Sequence, residues 1–367
     1  MAFSLDPPCG VLHTGVMGSA WRRAFLVACG LSVVTAGARG LEPPAAGTFA
    51  DDIARLSEPS GTFDADNLIS NERSYLEIAP ALAARPVEGG AYVGVGPDQN
   101  FSYIARIRPS VAYIIDIRRD NLLLHLLFKA LFAEARTRAE YLCLLTGRPV
   151  PYGIERWRSA GVDELVAHVD QSTPWPDAVE ALRSRIDQTI ALFGVPLSRA
   201  DLDTIARFHH AFIVEGLDLV FSGHGRAERR YFPASRYPTL RELLTAQVAD
   251  GRQWSYLASE DDFQFVKALH ARDAIIPVVG DVSGPHALRA IGAAVAARGE
   301  RVSAFYISNV ETYLESDSAV SRFLDNLSRL PRDEGSVMIR SVFNAGSSTS
   351  LVQPIDQTLA KASRGGR

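Results

Sequence analysis

Residues 89–121 read GGAYVGVGPDQNFSYIARIRPSVAYIIDIRRDN. The run AYVGV predicts a short apolar strand, and PDQNFSYIARIR a helical turn or two. SVAYIID predicts a second strand, apolar throughout, as strands buried on both faces tend to be. Strand, glycine turn, helix and strand make the start of a parallel α/β sheet. Ligands of open α/β sheets bind outside the carboxyl ends of the strands. The residues that end each strand are therefore the first candidates for a site.

Outward from this stretch, NLLLHLLFKALFAEARTRAEYLCLLTG predicts one long central helix closed by Gly147. Upstream, GTFDADNLISNERSYLEIAPALAA predicts a helix over about 70–83, with Asp66 or Ser70 as cap. Residues 148–257 carry helical periodicity in four stretches and read as a helical insertion. Within it GHGRAERRYFPASRYP, residues 223–238, is a basic, aromatic loop suited to cover a site. Alternation then resumes: helix EDDFQFVKALHARD, strand AIIPVVGD, helix GPHALRAIGAAVAARG, strand RVSAFYIS, helix AVSRFLDNLSRLP and strand GSVMIRSVF. Pro285 near the start and Gly299 at the end suit the second of these helices. The expected organisation is 61–147 and 258–345 as two parts of one α/β domain, 148–257 inserted between them, and 346–367 as a tail with a disordered end.

The chain has 367 residues, 47% hydrophobic and 22% charged, enough for a sizeable core. A net charge of −4 gives no electrostatic reason to expect nucleic acid as a partner. No apolar run reaches the roughly 20 residues that span a bilayer. Arg22-Arg23, the apolar run AFLVACGLSVVTAG and the small residues Ala36-Gly37-Ala38 predict a secretory signal peptide over 1–38. The paired arginines also suit twin-arginine export, while Cys29, inside the apolar run, is poorly placed for lipidation. The chain is thus expected in the periplasm or envelope, without an integral span after cleavage. Residues 39–60, rich in Pro, Gly, Ala and Ser, read as a linker. Cleavage would leave Cys143 as the sole cysteine, on an apolar helical stretch that predicts a buried thiol.

The strand ends carry the candidate site. Gly94 and Gly96 allow a tight turn and close backbone approach to a ligand. Asp98 and Asn100 open the next helix, whose free N–H groups point the same way. Asp116, 20 residues after Gly96, is at the distance of an acid that hydrogen-bonds ribose hydroxyls; beside Arg118 and Arg119 it also suits a surface ion pair. Asp281 suits either a contact to a base edge or a turn before the following helix, which Ser283 can also cap. Asn309 and Glu311 suit either capping or a substrate at the sheet rim. The segments SNE at 70–72 and DQN at 98–100 suit capping, or would line the cleft if the first helix folds over it. His209, His210 and Glu215 do not form a metal pattern, and His125 and His270 read as packing residues. No G-x-S-x-G elbow or Walker A motif is present.

YVGVGPD, IID, VVGD and FYISN resemble four successive strand ends of the class I methyltransferases, which use S-adenosylmethionine. More closely, GVGPDQNFSYIARIRPSVAYIIDIRRDN, VVGD and SAFYISNVETYL look like an uncharacterised bacterial family with that core. The resemblance covers about residues 60–145 and 259–343. It implies a Rossmann-like, mostly parallel open α/β sheet with a long helical insertion. It further implies an S-adenosylmethionine site at Gly94, Gly96, Asp98, Asn100, Asp116 and Asp281, with Asn309 and Glu311 beside the transferred methyl group. Two other readings stand next to this one: a noncatalytic binding or scaffold module on the same fold, and a dinucleotide-binding oxidoreductase, since Asp116 suits any ribose. A cleft filled by Tyr92 or Phe101 would exclude both ligand-binding enzymes.

Overall fold

Alternating apolar strands and amphipathic helices build a six-stranded sheet in the order β3-β2-β1-β4-β5-β6. The computed structural model describes residues 47–63, 65–85, 87–222, 237–314, 316–344 and 347–365. The expected signal peptide and residues 223–236 of the expected covering loop lie outside them. The strands are β1 (Ala91–Gly94), β2 (Val111–Asp116), β3 (Ile275–Val279), β4 (Val302–Ser308), β5 (Val337–Asn344) and β6 (Ser347–Pro354). β1 lies between β2 and β4 and pairs with both in parallel, Val93 opposite Tyr113 on one side and Phe305 on the other. β3 and β5 add parallel strands outside them. β6 runs antiparallel to β5. Pro277 sits in β3, an edge strand, where a missing N–H is tolerated. The α/β, mostly parallel sheet expected from the sequence is present.

The crossover helix α3 (Gln99–Ile107) follows β1 and ends in left-handed Arg108. The long helix expected over 121–147 is two: α4 (Arg119–Glu134) and α5 (Arg138–Thr146). Ala135 turns extended, and the Thr137 side chain accepts from Glu140 N to start the second helix. In α4 every residue from Asn121 to Phe132 is buried, because it lies between the sheet and the inserted helices. The insertion contributes α6 (Val162–Gln171), α7 (Pro176–Ala191), α8 (Arg199–Glu215) and α9 (Leu240–Thr245). It shares one hydrophobic core with the sheet. The second half adds α10 (Glu260–Ala271), α11 (Ala287–Ala297) and α12 (Asp317–Ser328).

Three expectations are corrected. The stretch read as linker holds α1 (Phe49–Leu56), with a capping box between Thr48 and Asp51 and Phe49, Ile53 and Leu56 buried. Its end is tied to the edge strand: Glu58 N donates to Val279 O and Val279 N to Ser57 Oγ. The helix expected over 70–83 is reduced to α2 (Ala79–Ala83), preceded by turns. Pro80 is accommodated in the first turn of a helix but not in its interior. The tail 346–367 holds β6 and α13 (Ile355–Gly365), with Ile355 buried in the core.

Candidate functional site

The carboxyl ends of β1, β2, β3 and β4 open on one cavity of about 740 Å³. Strand order reverses between β1 and β4, the crevice where such sheets bind ligands. Phe63, Asn67 and Glu72 add to the cavity wall, and just before them Gly61 N donates to Ile117 O. Ser70 and Asn71 line it too, so SNE does border the cleft. Phe221 and Tyr237, which flank residues 223–236, add two more rings. Phe63 meets Tyr313 edge-to-face at 5.1 Å. Tyr92 and Phe101 are fully buried and do not fill the cavity.

The predicted residues separate into those that face the cavity and those that hold its walls. Gly96 lines it with φ +82°, a conformation costly for any side chain. Gly94 does not line it. A Cβ there would collide with Asn100 Oδ1 and the Tyr92 ring, so this glycine serves internal packing. Asn100 is also turned inward: its Nδ2 donates to Val95 O at 2.9 Å and Pro97 O at 2.7 Å, and its Oδ1 accepts from Tyr92 Oη. It ties the glycine turn from beneath, which corrects its assignment to a ligand. Asp98 is corrected likewise. It is buried against Tyr256 Oη at 3.2 Å, and burial pushes its carboxyl up to about 7. Between them on α3, Gln99 is the residue that reaches the cavity.

Asp116 faces the cavity, but its carboxylate is engaged. Arg118 Nε and Nη2 donate to its two oxygens at 3.0 and 2.9 Å, and Arg118 N donates to Oδ1 at 2.9 Å. Arg118 is fixed in turn by the carbonyls of Ala65 and Asp66. Burial opposes its charge, and the Asp116 carboxylate outweighs that, raising its pKa. Asp281 also lines the cavity while closing a turn: Ser283 N and Oγ both donate to it. Its own N–H donates to Glu58 Oε1, and Glu58 Oε2 accepts from His286 N and Ala287 N at the start of α11. Glu58, from the stretch read as linker, therefore caps α11. Asn309 lines the cavity. Glu311 does not: it pairs with Arg340 on β5, Nε to Oε2 at 2.6 Å, which corrects its placement beside a reacting group.

The sequence reading placed Glu72 within SNE at the cleft, but not the hydroxyls gathered on it. This carboxyl lines the cavity, is 1% exposed, and accepts from the hydroxyls of Tyr306, Ser308 and Ser341. Ser308 has φ +54°, left-handed without being glycine, where β4 breaks register with β5. Such strain persists only where surrounding contacts hold it.

The histidines stay structural. His125 Nε2 bonds Gly96 O at 2.9 Å, and burial lowers its pKa to about 4. His209 bonds Leu144 O inside the core, and His210 meets Arg183 at the surface. Burial raises the Cys143 thiol to about 12, as expected of an inert thiol. Among the described residues no group of three or more His, Cys, Asp or Glu could hold a metal, and no helix is long and apolar enough to cross a membrane.

A family model described as a domain of unknown function, DUF7790, matches residues 68–150 and 224–361, more than half of the chain. The unmatched stretch between them holds α6, α7 and α8 of the insertion. No curated protein matches the chain.

Proposed function

Starting from a chain that belongs to the DUF7790 family, whose description names no activity, we propose that it binds a nucleoside-type ligand in the strand-end cavity. The ligand proposed is an adenosyl compound of the S-adenosylmethionine kind, held in a Rossmann-like, methyltransferase-like frame. One observation carries this reading: a single cavity touches the ends of β1, β2, β3 and β4 at the reversal of strand order. Its volume of about 740 Å³ suits a ligand of that size. Gly96 leaves room for close approach, and Phe63 and Tyr313 offer faces for a planar base. Asp116 stands where a ribose would lie, with lone pairs beyond those used by Arg118. Methyl transfer to an acceptor bound near Asn309 is the reaction this frame favours.

A binding module without chemistry is the second reading. Glu311 is paired outside the cavity and Asp116 is clamped, so neither is free to move a proton. Export through the signal read in residues 1–38 belongs to the proposal and favours this second reading, because S-adenosylmethionine is a cytosolic metabolite. A dinucleotide ligand fits the same ribose position. The test is calorimetric titration of the full chain with S-adenosylmethionine, its demethylated product and NAD, beside Asn309→Trp. Saturable binding of an adenosyl compound that the bulky side chain abolishes supports the pocket reading. Failure of all three to bind at millimolar concentration overturns it.

A further inference from the structure

The two halves of the cavity differ in chemistry. Toward β2 and β3 Asp116 is paired with Arg118, and Asp281, held by neutral donors of its own turn, keeps partial exposure to water. Toward β4 and β5 the acid has neither counter-charge nor exposure. Glu72 receives three hydroxyl protons, yet among the described residues no cationic side chain pairs with it. A carboxylate taken out of water without a counter-charge is costly, and three neutral donors offset only part of that cost. Burial accordingly pushes its carboxyl up, against the pull of the hydroxyls of Ser308, Ser341 and Tyr306.

Tyr306 links Glu72 to an acceptor without a partner. Tyr306 gives its one proton to Glu72 Oε1 at 2.8 Å, so it must accept from Gln99 Nε2 at 3.1 Å. That orients the Gln99 amide and leaves its Oε1 buried and without a partner, on a residue that lines the cavity. Ser308 is held in its left-handed conformation with its hydroxyl on Glu72. A wall of this kind asks for N–H donors and positive charge. A hard divalent ion would want six or more oxygens, with several carboxylates or waters, and only one acid stands here. An ammonium group carries three donors and needs only one charged partner.

We propose that the β4–β5 half of the cavity is a subsite for the cationic group of a ligand, an alkylammonium, with Glu72 as its counter-charge and Gln99 Oε1 as a second acceptor. This rests on the reading that the cavity binds ligands, and it assigns an amine as the class of the second ligand or acceptor.

The probes are n-butylammonium and the neutral 1-butanol, followed by ligand-observed NMR on the full chain at constant ionic strength. The chain should bind the ammonium at least about tenfold more tightly than the alcohol. Glu72→Gln should remove that preference, and Asp203→Asn, at an exposed acid outside the cavity, should keep it. No preference in the unaltered chain, or a preference that survives Glu72→Gln, overturns the proposal. Adenosine, which carries no ammonium, is titrated in parallel, so failure of the nucleoside reading shows separately from failure of the amine subsite. Should Glu72→Gln not fold by circular dichroism, the infrared difference spectrum of the unaltered chain with and without butylammonium decides. A shifted carboxylate stretch supports the subsite, and an unchanged one overturns it.

Discussion

Asp98 shows how a residue in the right sequence position can face the wrong way. It opens α3 beside the glycine turn, but points into the core toward Tyr256 and Tyr141. Its folded pKa of about 7 lies above that of an unfolded aspartate. Stability from such a group is complete below the unfolded value and is lost as pH rises through about 7. Asp98→Asn, which cannot ionise, should therefore gain on the unaltered chain by roughly 2 kcal/mol between pH 5 and pH 8 in paired urea titrations. A constant difference across that range would show Asp98 to be unperturbed. Asp116 makes a second residue-scale case. Its ion pair with Arg118 was one of two readings open in the sequence. Choosing between them required the carbonyls of Ala65 and Asp66, which lie more than fifty residues upstream. Because Arg118 would be left buried and unpaired, Asp116→Ala should cost about 3 kcal/mol in denaturant unfolding. The double change Asp116→Ala with Arg118→Met should recover part of it. A cost below about 0.5 kcal/mol would show the pair to be ornamental to stability.

At the scale of elements, propensity and pattern located most helices, while two of the misses were matters of capping. Thr48-x-x-Asp51 before Phe49, Ile53 and Leu56 is a helix start in plain sight, hidden by the Pro and Ala content around it. Thr137-x-x-Glu140 likewise divides α4 from α5, within the charged stretch EARTRAE at 134–140. Thr48→Ala should destabilise the chain by about 1 kcal/mol through loss of the cap. Ile53→Ala should cost about 2–4 kcal/mol, since it removes a buried side chain between α1 and the sheet. If residues 47–58 were a loose linker, both changes would leave the melting temperature untouched. Glu58→Ala tests the link from α1 to the cavity. It strips an acceptor from three backbone N–H groups, at Asp281, His286 and Ala287, and should cost at least about 2 kcal/mol.

Across the whole molecule, α4 joins the inserted helices to the sheet. It packs on β3 and on α7, α8 and α10, so the insertion has no core of its own. Urea unfolding followed by circular dichroism and by tryptophan emission should therefore coincide in one transition. Three of the four tryptophans, Trp157, Trp175 and Trp254, lie in residues 148–257, so an independently melting insertion would separate the two signals.

The sequence by itself determined the α/β class, the parallel strands, the glycine turn at Gly96 and the row of polar residues at the strand ends. These follow from local periodicity and from the alternation of strand and helix, which short windows of sequence carry. The tertiary structure alone decided which of those polar residues face the cavity. Asp98 and Asn100 turn inward, Glu311 goes to Arg340, Asp116 is clamped, and Gln99 and Glu72 come forward. The physical reason is that a polar side chain takes the strongest partner within reach, and those partners come from distant parts of the chain. Glu72 is the sharpest instance: its three hydroxyl donors lie more than two hundred residues away, on β4 and β5, and nothing near it in the sequence announces them.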